Sequence, residues 1–132
     1  MTLRFDFISL LVTDMARTLD FYRRLGLEIP PGAESEQHVE ATLTDGVRIA
    51  WDTVEMVRSF SPEWTPPTGS PRMSLAFRCA EPAEVDRRYA ELTEAGFHGE
   101  LKPWDAFWGQ RYASLLDPEG NGVDLYAPLT QA

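Results

Sequence analysis

The sequence predicts an α+β fold in which one β-α-β-β-β plan is used twice in tandem. Three observations carry that prediction. A stretch of the chain repeats with an offset of 67 positions. Within each copy the apolar pattern switches from a strand's period of two to a helix's period of about 3.6. After each helix, turn-forming residues separate short apolar runs.

The repeat sets Phe7-Ile8-Ser9-Leu10-Leu11-Val12-Thr13-Asp14 against Ser74-Leu75-Ala76-Phe77-Arg78-Cys79-Ala80-Glu81. Both are strand-like and both end in an acid. Tyr22 and Leu25 find their counterparts, at the same offset, in Tyr89 and Leu92. In the first copy Ile8, Leu10 and Val12 alternate with Phe7, Ser9 and Leu11, a strand with apolar residues on both faces. Thr13 or Asp14 can cap the helix that follows, whose stripe is Met15, Leu19 and Tyr22, and Gly26 can end it. In the second copy Pro82 suits the first helical turn, Val85, Tyr89 and Leu92 form the stripe, and Gly96 ends it. Strands are expected near 38–44 and 47–54, around Asp45-Gly46, and near 110–116 and 122–127, around Asp117-Pro118-Glu119-Gly120-Asn121-Gly122. Residues 27–31 and 97–102 are expected to add one strand to each copy. Residues 58–72 hold Pro62, Pro66, Pro67, Pro71 and Gly69 and read as the linker between halves.

Composition bounds the function. The 132 residues fit one domain, and 43% hydrophobic with 25% charged residues is an ordinary globular balance. The one cysteine, Cys79, lies in an apolar run and reads as a buried small hydrophobe; no intrachain disulfide is available to it. A net charge of −9 argues against nucleic acid as a partner and permits a cationic ligand, although solubility alone would account for it. Arg4 and Asp6 interrupt the only apolar stretch near the start, so no secretory leader is expected. No run approaches the roughly 18 apolar residues of a membrane span. The expected location is cytoplasmic, with no membrane partner.

Two motifs go further. Val12-Thr13-Asp14-Met15-Ala16-Arg17-Thr18-Leu19-Asp20-Phe21-Tyr22-Arg23-Arg24-Leu25-Gly26-Leu27 resembles the opening of the vicinal oxygen chelate superfamily, the glyoxalase, bleomycin-resistance and extradiol-dioxygenase group. Asp117-Pro118-Glu119-Gly120-Asn121-Gly122-Val123-Asp124-Leu125-Tyr126 resembles its closing hairpin. The resemblance spans about 3–128. It implies a single domain over 1–132, with module one at about 3–57, the linker at 58–72 and module two at 73–128. It also implies curved mixed sheets around a ligand cleft, helices on the outside, and commonly a homodimer. Metal-dependent members carry a ligand, usually His, on the first strand of each module and a Glu on the last strand. The matching positions here are Phe7, Ser74 and Asp124. Phe7 has no donor atom and Ser74 is a poor neutral ligand, so neither metal nor cofactor is expected, with only a weak oxygen-ligand site around Asp124 left open. His38 lies in a polar segment and His98 in a helix-to-strand turn; neither has a His or Cys at ligand spacing, and both read as solvated.

If Phe7 stands where a ligand would point inward, then Phe5, Ser9 and Leu11 share its face. Ser74, Ala76 and Arg78 share the matching face in the second copy, and Asp124 and Tyr126 do so on the last strand. Trp51 is expected to form a wall of the same cleft. Trp64, Trp104, Phe107 and Trp108 lie among prolines and glycines, where they either stack on a ligand or cover a core or dimer seam. Asp52, Asp105 and Asp124 are candidate general bases or cation partners. No serine or cysteine has an evident base, and there is no glycine-rich phosphate loop. The expected ligand site is Phe7, Ser9, Trp51, Trp64, Ser74, Arg78, Trp104, Phe107, Trp108, Asp124 and Tyr126. The resemblance is closest in character to the metal-free, antibiotic-binding branch, and implies sequestration of an aromatic or cationic natural product. A lyase, isomerase or cyclase of a small metabolite is the alternative, and a dimeric module whose aromatics form the interface is a third.

Overall fold

The computed structural model describes residues 3–130; the outer ends of the 1–132 span lie outside them. The chain forms two compact units that divide between Thr68 and Gly69, inside the proline-rich stretch.

The first unit contains β1 (Phe7–Val12), α1 (Met15–Arg24), β2 (His38–Thr42), β3 (Arg48–Thr53) and α2 (Val54–Phe60). Its sheet has the order β1-β3-β2, with β1 parallel and β2 antiparallel to β3. Asp14 caps α1 by accepting the Arg17 N–H at 3.0 Å. At the other end Gly26 takes a left-handed φ of +104°, and the Leu27 N–H reaches back to the Tyr22 carbonyl at 3.1 Å. Leu19, Phe21 and Tyr22 are fully buried against the sheet face that carries Ile49 and Trp51. Tyr22 and Trp51 meet with ring centroids 5.2 Å apart.

The expected strand at 27–31 does not form. Pro30 and Pro31 lack the N–H groups that a ladder needs, and a short 3-10 turn follows at Ala33–Ser35. The Arg23 guanidinium serves the carbonyls instead, donating to Pro30 at 2.6 Å and Ile29 at 3.4 Å. The first module is therefore one strand shorter than the second. The expected linker also begins as structure: Thr53 accepts the Met56 N–H at 3.1 Å and starts α2, which runs to Phe60.

The second unit contains β4 (Ser74–Arg78), α3 (Pro82–Glu94), β5 (His98–Ala106), β6 (Gln110–Leu116) and β7 (Gly122–Pro128). Its sheet order is β4-β7-β6-β5, with β4 parallel to β7 and the rest antiparallel. Pro82 opens α3; Glu81 makes no side-chain cap, and Glu84 instead accepts the Ala80 N–H at 2.7 Å. Val85 and Leu92 pack on Ala113, Leu115, Val123 and Leu125, all fully buried. Buried Asp117 organises the last turn, its Oδ1 accepting the N–H groups of Glu119 and Asn121 at 2.9 Å each. Cys79 is buried, and burial pushes its thiol pKa up. No helix among the described residues is long and apolar enough to cross a membrane.

Candidate functional site

In each sheet the face turned away from the helix of its module collects the polar and aromatic side chains. Register decides which residues these are. In the first unit Trp51 pairs with Leu10 and Val39 and faces α1, so it is a core residue with no exposed surface. The expectation that it forms a cleft wall is corrected by one step of strand parity. The opposite face carries Phe7, Ser9, Leu11, Arg48, Ala50, Asp52, His38 and Glu40.

A chain of alternating charges crosses that face. Ser9 Oγ donates to Asp52 Oδ2 at 2.5 Å. His38 Nδ1 bonds the other oxygen of the buried Asp52, and His38 Nε2 meets Glu40 Oε2 at 2.7 Å. Arg48 then donates to Glu40 at 2.6 Å and to Asp6 at 2.7 Å, with its guanidinium 4.9 Å from the Phe7 ring centroid. The bond to Asp52, followed by that to Glu40, raises the His38 pKa above its ordinary 6.5. The bond to His38, followed by that to Arg48, lowers that of Glu40. His38 is exposed, as expected, and is also held between two carboxylates. Trp64 lies in the loop after α2, its ring 5.7 Å from the Arg58 guanidinium and its carbonyl accepting from Arg58 Nε at 3.3 Å.

In the second unit the face opposite α3 carries Ser74, Ala76 and Arg78 from β4, Asp124 and Tyr126 from β7, and Tyr112 and Ser114 from β6. Two register shifts in β5 bring Leu101 opposite Ser114 and Trp104 opposite Tyr112, adding both to this face. The aromatic rings make a continuous run. Trp108 meets Trp104 at 5.5 Å, Phe107 at 4.9 Å and Tyr112 at 5.3 Å, each edge to face, and Tyr112 stacks on Tyr126 at 6.5 Å. Phe107 at the turn is 90% exposed and Trp108 48%. The Trp108 indole donates to Gln110 at 2.8 Å, whereas the Trp104 indole N–H is buried without a partner.

Asp124 accepts from Tyr112 Oη at 2.5 Å and from Ser114 Oγ at 2.8 Å. Burial, then the bond to Asp124, pushes the Tyr112 phenol up to about 12, so it remains a donor at neutral pH. Beside Asp124 a groove of about 430 Å³ opens between Ser74, Ser114 and Leu116, with Arg72, Met73 and Glu100 at its edge. Asp105 is elsewhere: Arg111 ties it, at 3.0 Å, to the face that also meets Asp86 of α3.

The side chains at the positions where the resemblance would place metal ligands are poorly suited to hold an ion. Phe7 offers no ligand atom, Ser74 offers a neutral hydroxyl, and both oxygens of Asp124 accept from neighbours. Among the described residues no group of three or more His, Cys, Asp or Glu is arranged to hold a metal ion.

Tyr112, Glu40, Arg48 and the role of His38 escaped the sequence reading, although a signal existed. His38 and Asp52 lie seven positions either side of Asp45, and Ser114 and Asp124 five either side of Glu119. Counting outward from each recognised hairpin turn yields the observed pairs.

The family model described as Glyoxalase/Bleomycin resistance protein/Dioxygenase superfamily matches residues 4–125. A search of curated proteins found no match. Among solved structures, a glyoxalase/bleomycin resistance protein/dioxygenase family enzyme from Burkholderia phytofirmans PsJN superposes with a TM-score of 0.81 at 19% identity, covering 96% of this chain and 100% of that one. A glyoxalase/bleomycin resistance protein/dioxygenase from Nocardioides gives 0.76 at 19% identity, covering 100% and 87%. A protein of unknown function from Agrobacterium tumefaciens str. C58 gives 0.73 at 24% identity, covering 98% and 97%.

Proposed function

The chain belongs to the glyoxalase/bleomycin resistance protein/dioxygenase superfamily, and from that premise we propose that it binds and sequesters a planar aromatic natural-product antibiotic, unaltered and without a metal. The observation that carries this reading is the run of rings Trp104, Phe107, Trp108, Tyr112 and Tyr126 on one face of the second sheet. Aromatic faces that are exposed and held rigid are suited to stacking on a flat ligand. The polar groups nearby favour holding over reacting. Asp124 is engaged by two hydroxyl donors, and neither Ser74 nor Ser114 has a histidine as base. Those same donors make Asp124 a weaker partner for a cation than its charge implies, so the aromatic form of the ligand is favoured over the purely cationic one.

A second reading has one observation behind it. On the first sheet His38 is paired with the buried Asp52, an arrangement that positions an imidazole for proton transfer and would serve a lyase or isomerase. Both ring nitrogens are bonded to carboxylates, so a substrate would first have to displace Glu40.

One experiment separates the two. Chelator-treated protein is titrated with planar aromatic antibiotics while tryptophan fluorescence is followed, and the drug is then extracted and weighed by mass spectrometry. Saturable quenching with the drug recovered intact is expected. A product of altered mass assigns the protein to the enzymes, and binding that requires an added divalent metal contradicts the proposal.

A further inference from the structure

We propose that the aromatic face of the second sheet selects an anionic ligand, one whose ring system bears a carboxylate or an acid of similar shape, and that Arg78 is the residue that receives it. This rests on the reading of that face as the ligand site and names the chemistry of the ligand.

Arg78 ends β4 on the ring-bearing face and is directly paired in register with Tyr126, the last member of the stacked pair. It is exposed, and among the described residues its side chain has no hydrogen-bond, ion-pair or ring partner. Most of the other arginines are engaged, although among the described residues Arg72 at the rim of the groove is not. Arg23 is bonded to Glu34, Arg24 to Asp20, Arg48 to Glu40 and Asp6, Arg88 to Glu84, and Arg111 to Asp86 and Asp105. Asp124, on the same face, does not serve as counterion, because Tyr112 and Ser114 occupy its oxygens. A guanidinium left free beside a stacked tyrosine pair offers a planar fork for a carboxylate, while the rings take the body of the ligand.

Polarity also sets the direction in which the ligand lies. The groove at the opposite end of β4 has Glu100 and Asp124 against Arg72, so an acid group is disfavoured there. Arg78, Tyr126, Tyr112 and Trp104 stand in one row across four neighbouring strands, about 14 Å from end to end at roughly 4.8 Å per strand. A ligand of two or three fused rings fits along that row with its acid at Arg78 and its rings over Tyr126 and Tyr112, toward Trp104. The net charge of −9 does not forbid an anion, because charges beyond about 8 Å are largely screened at physiological ionic strength.

The test uses three probes with one ring system on the full chain: 2-naphthoate, 2-naphthalenemethanol and 2-naphthylmethylammonium, followed by isothermal titration calorimetry. Naphthoate is expected to bind about tenfold more tightly than the alcohol, with the ammonium weakest. Arg78→Gln should collapse the ratio of naphthoate to alcohol affinity from about tenfold to about one. Arg78→Lys should restore only part of the preference, since it supplies charge without the fork. Alcohol and ammonium binding as tightly as naphthoate overturns the anion preference and leaves the aromatic site standing, and a preference that survives Arg78→Gln overturns the role of Arg78. Failure of all three probes to bind overturns the aromatic site and the inference together.

Discussion

Tyr112 and Ser114 hold Asp124 by both oxygens, and that arrangement makes predictions at single residues. Tyr112→Phe leaves one carboxylate oxygen without its donor and is expected to cost about 1–2 kcal/mol in urea unfolding. The phenol, pushed up to about 12, should appear in ultraviolet titration as a late step that vanishes in Tyr112→Phe. His38 predicts a pH dependence. Its folded pKa is raised from 6.5, so the folded state holds the proton more tightly than the unfolded chain does. The stabilisation is complete below about 6.5 and is lost as pH rises through the folded value. Glu40 runs the other way: its pKa is lowered from 4.5, so its contribution is lost as pH falls through the folded value. Urea midpoints measured from pH 5.5 to 8.5 should decline on the alkaline side, and His38→Gln should flatten that decline. An unchanged slope in His38→Gln contradicts the network. The sequence made these residues visible as types but not as pairs. Trp51 illustrates the difficulty, because a period-two pattern gives two faces without saying which one the helix covers.

Among the elements, the two helices show how a repeat can be read while its exceptions are missed. Both close in the same way, with the Leu27 N–H to Tyr22 and the Phe97 N–H to Leu92, after glycines in the left-handed region. Those caps depend on local residue chemistry and were legible. The missing strand at 27–31 was not, because the apolar residues there suggest a strand while Pro30 and Pro31 remove its donors, and the Arg23 side chain that replaces the ladder lies on α1. The extent of α2 was hidden for a similar reason: Thr53 is both the last residue of β3 and the cap of the next helix. Packing of α3 on β5 yields a further prediction. At Gly99 an added Cβ would lie 2.1 Å from the Tyr89 hydroxyl, so Gly99→Ala must displace that ring. A loss of about 1–3 kcal/mol is expected, to be checked by thermal or urea unfolding. A variant as stable as the parent would mean that Tyr89 moves without cost.

For the whole molecule, the aromatic run is either a ligand surface or a contact between copies of the chain. Replacing Trp104 and Trp108 together by Ala separates these uses. Loss of ligand binding with an unchanged sedimentation profile is expected, whereas conversion of a dimer to monomers would assign the rings to an interface. Family and fold were legible because they rest on a repeat, two motifs and a pattern of turns spread along the chain. The ligand was not, because one fold hosts many chemistries and its recognition here depends on which side chains remain unpaired after folding. The most direct measurement uses the indole N–H signals of the four tryptophans in a proton–nitrogen correlation spectrum, assigned by single Trp→Phe variants and followed during titration with a planar aromatic ligand. Saturable shifts are expected for Trp104 and Trp108 while Trp51, buried against Tyr22, stays in place. Shifts confined to Trp51 or Trp64, with Trp104 and Trp108 unmoved at saturation, would contradict it.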